Sequence, residues 1–361
     1  MKNLFPENDP VLDHECTSWM VFNDLTGNNT NILHKNRDFK SRDIAVYLSP
    51  ADTPRKWIAM GSGGGANMGM NISGLAGVMN SGEVCINHST DDSRKTTPQI
   101  MRAILSVCDT AAQAVEMLKK FIAEGDYWHR QKGSTFFFMD PNEGFVCELT
   151  AKECLVQPYS SGYAVRANIW MNPGMQFYSR NRIDMYLDSA ARMFIAYSGL
   201  NNALDRHGKI TLEDIFDLSR HCKMPEESKE KRPLCFIRTN STASLEVDRQ
   251  YPDVLSTAYF TIGHPRNTVY VPVPIGVETI LPAMGDESWS AAAFKRFDEA
   301  GYDAVIPAEW LKFEQDFMAK YRCTKNEARR LLDNGQRAEA VKLLNDTAYA
   351  IWQDAANLLG L

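Results

Sequence analysis

Apolar and polar positions alternate in the first ordered stretch of the chain. Residues 17 to 23 (Thr-Ser-Trp-Met-Val-Phe-Asn) are β-branched and aromatic in character, Gly27-Asn28-Asn29 forms a turn signal, and Ile32-Leu33 resumes the apolar pattern. This predicts a β-hairpin that sets Cys16 beside the segment Lys35 to Asp38. In a regular strand Lys35 and Arg37 share one face and Asp38 takes the other.

The period then lengthens. Thr97-Pro98 reads as an N-cap with proline at the first helical position, followed by Ile100, Ile104 and Leu105 on one face. Thr110-x-x-Gln113 resembles a capping box opening a second helix through Val115, Leu118 and Ile122. Short strands follow at Phe136 to Met139, Gly144 to Cys147 and Cys154 to Val156, then helices from Ser179 to about Tyr197 and from Thr211 to about His221. From about Ser288 helix formers take over. Trp310, Phe313, Phe317 and Tyr321 recur at helical spacing, as do Leu343, Leu344, Ile351 and Trp352, with Asn334-Gly335 between the two runs. This periodicity establishes mixed α and β structure. The final helices are expected to pack on the core or build a dimer contact.

Composition narrows the function classes. The 361 residues are 44% hydrophobic and 23% charged, as in a globular protein, and the net charge of -6 argues against a nucleic-acid or anionic-membrane partner. No run approaches the ~18 apolar residues of a membrane span. The eight cysteines lack CxxC pairs and read as reduced thiols of a cytoplasmic protein, or of a secreted or periplasmic one whose leader is missing. Seven histidines show no zinc spacing, and Gly61-Ser62-Gly63-Gly64-Gly65 is not followed by the Lys-Ser/Thr of a phosphate-binding loop. No metal and no cofactor is expected.

Cys16-Thr17, the hairpin and His34-Lys35-Asn36-Arg37-Asp38-Phe39 together resemble the opening of the cysteine N-terminal-nucleophile (Ntn) hydrolases. These include the acyl-CoA:isopenicillin N acyltransferase family, penicillin V acylase, choloylglycine hydrolase and acid ceramidase. Three later segments follow in the expected order. Asn67 to Asn80 resembles the Gly-Leu strand-turn-strand that ends in a functional Asn, Tyr163 to Asn168 resembles the strand that delivers an oxyanion Asn, and Ser179-Arg180 resembles the site of the active-site Arg. The departure is Lys35, which stands where the family usually has Arg.

The resemblance implies an α+β fold, a four-layer αββα sandwich of two antiparallel sheets over residues 16–285. It also implies a propeptide, residues 1–15, removed by autocatalysis; residues 286–361 form the helical extension. The expected site is Cys16, Lys35, Asp38, Asn80, Asn168 and Arg180. Cys16 would supply both nucleophile and, through its freed α-amine of pKa ~7.7–8.0, the general base. Asp38 would balance the α-ammonium, Lys35 and Arg180 would hold the thiolate field or a substrate carboxylate, and Asn80 and Asn168 would donate to the oxyanion. The implied activity is hydrolysis or transfer at a linear amide. The partners would be a small-molecule amide or short peptide, an acyl-CoA or amine acceptor, and a second copy in a homo-oligomer. Two alternatives stay open: a dipeptidase of the related cysteine family, suggested by the Cys-Thr-Ser-Trp opening and Tyr270-Val271-Pro272-Val273, and a silent binding protein on the same fold, motivated by Lys35 and by Glu15 at the junction.

Overall fold

The computed structural model describes residues 14–180, 183–223 and 233–361, apart from the side chains of His14, Glu15 and Asp184. Most of the expected propeptide, residues 1–13, lies outside the described residues.

The opening hairpin forms as β1 (His14–Val21) and β2 (Thr30–Phe39), joined by a single helical turn, α1 (Asn23–Thr26), that ends at left-handed Gly27. These strands lie in a six-stranded antiparallel sheet with β10 (Tyr163–Arg166), β11 (Thr239–Asp248), β12 (Thr257–Thr261) and β13 (Val271–Pro274), in the order β10-β1-β2-β11-β12-β13. The second sheet is a meander of seven strands in chain order. They are β3 (Ile44–Leu48), β4 (Trp57–Ser62), β5 (Met68–Asn71), β6 (Ala76–Val84), β7 (Lys132–Met139), β8 (Gly144–Leu149) and β9 (Cys154–Tyr159). Between β5 and β6 the chain reverses at Gly74, whose φ of +83° suits glycine and strains other residues.

The sheets stack face to face. Met20, Met60, Met70, Val78, Phe137 and Met139 are buried in one cluster that spans both sheets, because alternate residues on each strand point inward. The outer face of the seven-stranded sheet is covered by α2 (Thr97–Val107) and α3 (Ala111–Ala123), whose Ile100, Ile104, Leu118 and Ile122 bury against Phe136, Phe138 and Leu149. The other sheet is covered by α5 (Ile183–His207), α6 (Leu212–Ser219), α9 (Ser288–Ala300), α10 (Ala308–Asp333) and α11 (Arg337–Leu359). Single-turn helices α4 (Pro173–Gln176), α7 (Pro252–Leu255) and α8 (Pro282–Gly285) lie in the connections. The result is the αββα sandwich.

Helix boundaries differ from the pattern in instructive ways. The cap of α2 is Thr96, not Thr97; the Thr96 backbone N–H donates to Gln99 Oε1 at 2.8 Å, so the box spans Thr96 to Gln99 and places Pro98 in the first turn. Thr110 does cap α3, its hydroxyl accepting from the Gln113 N–H at 3.2 Å, but the Gln113 side chain accepts from Asp109 instead. Helix α5 starts at Ile183 rather than Ser179 and runs ten residues past the expected end at Tyr197. The C-terminal stripe packs on the core. Trp310, Phe317, Tyr321, Leu344, Ile351 and Trp352 are all buried with the six-stranded sheet, and Trp352 Nε1 donates to the Pro272 carbonyl at 2.6 Å.

Candidate active site

Strand alternation sorts the hairpin residues into two environments. Cys16 pairs with Arg37 and Ser18 with Lys35 across β1 and β2, so Cys16, Ser18, Lys35 and Arg37 all face the space between the sheets. There the Lys35 ammonium donates to the Met79 carbonyl and, at 3.1 Å, to Asn80 Oδ1, and it also hydrogen-bonds Cys16. Burial pulls the Lys35 ammonium below its ordinary pKa, and the neighbouring Cys16 opposes that shift. Arg37 donates to Ser62 Oγ at 3.0 Å and Asn240 Oδ1 at 3.2 Å and lies 4.8 Å above the Phe39 ring. Burial lowers it to about 10, again opposed first by Cys16. Two buried cations therefore flank one thiol. Lys35 and Arg37 stand together on the same face.

Asp38 points to the opposite face, under the helices. One carboxylate oxygen accepts from Thr239 Oγ1 at 2.7 Å, and the other, Oδ2, is buried with no hydrogen-bond partner. Burial raises Asp38 to about 7, with Arg192 the largest opposing influence and Lys35 a smaller one.

Asn80, on β6, accepts from Ser18 Oγ at 2.7 Å and from Lys35, while its amide nitrogen donates to the carbonyls of Arg166 and Ala167 at 3.2 and 3.3 Å. Both amide hydrogens are thus engaged on backbone, and Asn80 presents oxygen, not N–H, to the thiol side of the site. Asn168, two residues past β10, accepts on Oδ1 from the Cys16 backbone N–H at 3.0 Å and from Arg192 at 2.8 Å, and its Nδ2 donates to the Ser81 carbonyl at 2.8 Å. Two donors converging on one oxygen fix the amide orientation.

Arg180 is exposed and donates to the neighbouring Ser179 carbonyl, outside this cluster. The arginine that reaches Cys16 is Arg192, fully buried on α5. It donates to the Cys16 carbonyl and Thr17 Oγ1, both at 2.8 Å, and to Asp188 Oδ2 at 3.1 Å, as well as to Asn168. A signal for it exists in the sequence. Met185, Ser189, Met193, Ala196, Leu200 and Ala203 mark the buried stripe of α5, and Asp188 and Arg192 fall on that stripe as an i,i+4 pair. A charged pair inside an apolar stripe is a buried pair.

Other groups fall away. Gly61 to Gly65 forms the end of β4 and the turn that follows, beside Arg37 through Ser62. Cys235 Sγ stands 3.6 Å from His264 Nε2, but that nitrogen also donates to the Phe236 carbonyl at 3.1 Å, while Nδ1 faces the Arg266 and Asn267 N–H donors. With its hydrogen on Nε2, His264 cannot take a proton from that thiol. Among the described residues no group of three or more His, Cys, Asp or Glu side chains could hold a metal ion, and no helix is long and apolar enough to cross a membrane.

The model of the family described as acyl-coenzyme A:6-aminopenicillanic acid acyl-transferase matches residues 25–245. No curated protein matches the chain. Among solved structures, a mutant of the conjugated bile acid hydrolase from Clostridium perfringens is similar at 13% identity and a TM-score of 0.50, over 73% of this chain and 93% of that one. A second variant of the same enzyme gives 13% identity and 0.51 over 73% and 94%. Penicillin V acylase from Agrobacterium tumefaciens gives 10% identity and 0.46 over 72% and 86%.

Proposed function

The chain belongs to the acyl-coenzyme A:6-aminopenicillanic acid acyl-transferase family, and from that premise we propose that it is an autoprocessed cysteine N-terminal-nucleophile enzyme acting on a linear amide. The supporting observation is the setting of Cys16: its sulfur faces Lys35 and Arg37, and its backbone nitrogen is held by Asn168.

In the first step Cys16 Sγ adds to the Glu15 carbonyl carbon, the Glu15–Cys16 C–N bond breaks, and the thiol proton moves to the departing nitrogen. Water then hydrolyses the Glu15 thioester, releasing residues 1–15 and leaving Cys16 with a free α-amine. Asn168 Oδ1, already an acceptor for the Cys16 N–H, keeps that amine in place. In turnover the amine takes the thiol proton and sulfur attacks the amide carbonyl. The amine component leaves with a proton, and the thioester passes its acyl group to water or to an acceptor amine. Acceptable substrates are small amides, with an acyl-CoA thioester as an alternative acyl donor.

Asp38 lies under the helices, where Arg192 is the cation that acts on it most strongly. Its acidity moves toward the ordinary range once a new ammonium forms nearby. Lys35 and Arg37 face the thiolate, and Asn80 orients Lys35 through its oxygen. Arg192 ties the Cys16 carbonyl to Asn168 and so fixes where the nucleophile sits. It is a positioning residue.

The test is the intact mass of the purified protein beside that of Cys16→Ala. Loss of fifteen residues in the wild type alone, followed by a mass increase when it is incubated with an acyl thioester, supports the reading. A full-length wild-type mass with a thiol that resists acylation overturns it.

A further inference from the structure

A roomy cavity lies away from Cys16. It has a volume of about 960 Å³ and opens at the far end of the six-stranded sheet. Strand β2 enters its wall at Thr30 and Ile32, whereas Arg37 is the residue opposite Cys16. Five to seven residues at ~3.3 Å each put the two sites about 17 to 23 Å apart along the strand.

Two parts of the chain build this cavity. The body contributes Glu246 and Asp248 of β11, the start of α6 and Lys209 before it. The extension contributes one face of α10, where Arg322, Lys325, Asn326 and Arg329 recur at i, i+3, i+4 and i+7. Helix α10 lies beyond the segment 25–245 that matches the family. The cavity therefore exists only because the extension is there.

Its charges are arranged rather than scattered. Lys325 donates to Glu246 at 2.6 Å with both side chains about nine-tenths buried, Tyr259 adds a 3.2 Å bond to the same carboxylate, and Arg329 pairs with fully buried Asp248. Arg322 pairs with Glu213 at the mouth. Four lining cations face three lining carboxylates, and the cation left over is Lys209, whose stem lies against Gly27. The walls on either side are built of these buried pairs, Lys325 with Glu246 and Arg329 with Asp248. An ammonium with no carboxylate of its own, at the rim of a cavity whose other charges are paired, is what a bound anion would complement. Ile32, Leu212 and Met318 supply apolar surface beside them.

From this geometry we infer that the cavity between β11, α6 and α10 is a second ligand site, for a small molecule bearing one carboxylate or phosphate group that Lys209 receives. The site is separate from Cys16 and does not depend on its chemistry.

The experiment is thermal unfolding of the full chain titrated with sodium phosphate or sodium acetate against sodium chloride at matched ionic strength. The expected result is a saturable rise in Tm of about 2 °C or more over chloride for at least one anion. The rise persists in Cys16→Ala, disappears in Lys209→Gln and returns in Lys209→Arg. Lys209 is exposed, so these variants fold. The stronger anion identifies the group. A wild-type response no greater than chloride, an undiminished response in Lys209→Gln, or loss of the response in Cys16→Ala would each overturn the inference.

Discussion

Replacing Arg192 with methionine isolates the contact that organises the candidate site. The guanidinium is fully buried and donates at 2.8 to 3.3 Å to five groups: the Cys16 carbonyl, Thr17 Oγ1, Asn168 Oδ1, Asp188 Oδ2 and Ser189 Oγ. Methionine keeps the volume of the stem but takes the guanidinium away from the buried Asp188 carboxylate and leaves those acceptors without their shared donor. Removing one member of a buried ion pair costs about 3–5 kcal/mol. The assay is urea unfolding on a Cys16→Ala background, so that every variant shares one covalent form. Arg192→Met should lose about 3 kcal/mol or more. Asp188→Asn should lose less, and the double variant should recover part of the combined loss, a coupling of about 1–3 kcal/mol as expected for residues in direct contact. Losses that simply add, or an Arg192→Met loss under about 1 kcal/mol, which is the range of an exposed pair, would refute the reasoning. In the catalytic background, Arg192→Lys should keep the charge, lose the fork and lower kcat more than it raises KM.

Asp38→Asn should change the pH dependence of stability. A carboxyl raised to about 7 in the folded state, against 3.8 unfolded, holds more protons folded than unfolded between those values. Its contribution to stability is therefore greatest below pH 3.8 and lost as pH rises toward 7, a difference of up to about 4 kcal/mol. The asparagine variant should gain on the wild type between pH 5 and pH 8 in chemical unfolding, and a pH-independent difference would contradict this. Arg220→Met should loosen the C-terminal helices. Arg220 bonds Glu314 on α10 twice, at 2.6 and 2.7 Å, and the Pro265 carbonyl at 2.7 Å, so its loss should cost about 3–5 kcal/mol. Limited proteolysis should then cut between α9 and α10 at rates at least tenfold above wild type; unchanged cleavage would remove the anchor role.

The hairpin, the face shared by Lys35 and Arg37, the opposed Asp38 and the apolar stripes of the last helices were legible because each follows from a period of two or 3.6 in adjacent residues. What could not be read is how the ends of amide side chains divide their bonds. Asn80 and Asn168 both arrive at the site, yet Asn80 donates to the Arg166 and Ala167 carbonyls while Asn168 directs its oxygen to Cys16. That division is set by backbone groups up to 152 residues distant in the chain. Arg180 illustrates the same limit. A motif located an arginine near the start of a helix, and the helix begins three residues later than Arg180, so the buried position falls to Arg192 on the stripe that contains Met185 and Ala196. The Thr96 cap was missed for a smaller reason, since two consecutive threonines offer the same hydroxyl and only Gln99 distinguishes them.

The separation of Cys16 from Asn168 and Arg192, 152 and 176 residues along the chain, has a consequence for how the molecule comes into being. Contacts of such range are slow to form, since loop closure must precede them. The cluster does not exist in a nascent chain shorter than about half its final length, nor in any intermediate whose α5 has yet to dock on β1. The backbone of Cys16 is thus held at both its nitrogen and its carbonyl only in molecules that have completed this docking, and partly folded chains carry the hairpin without that clamp.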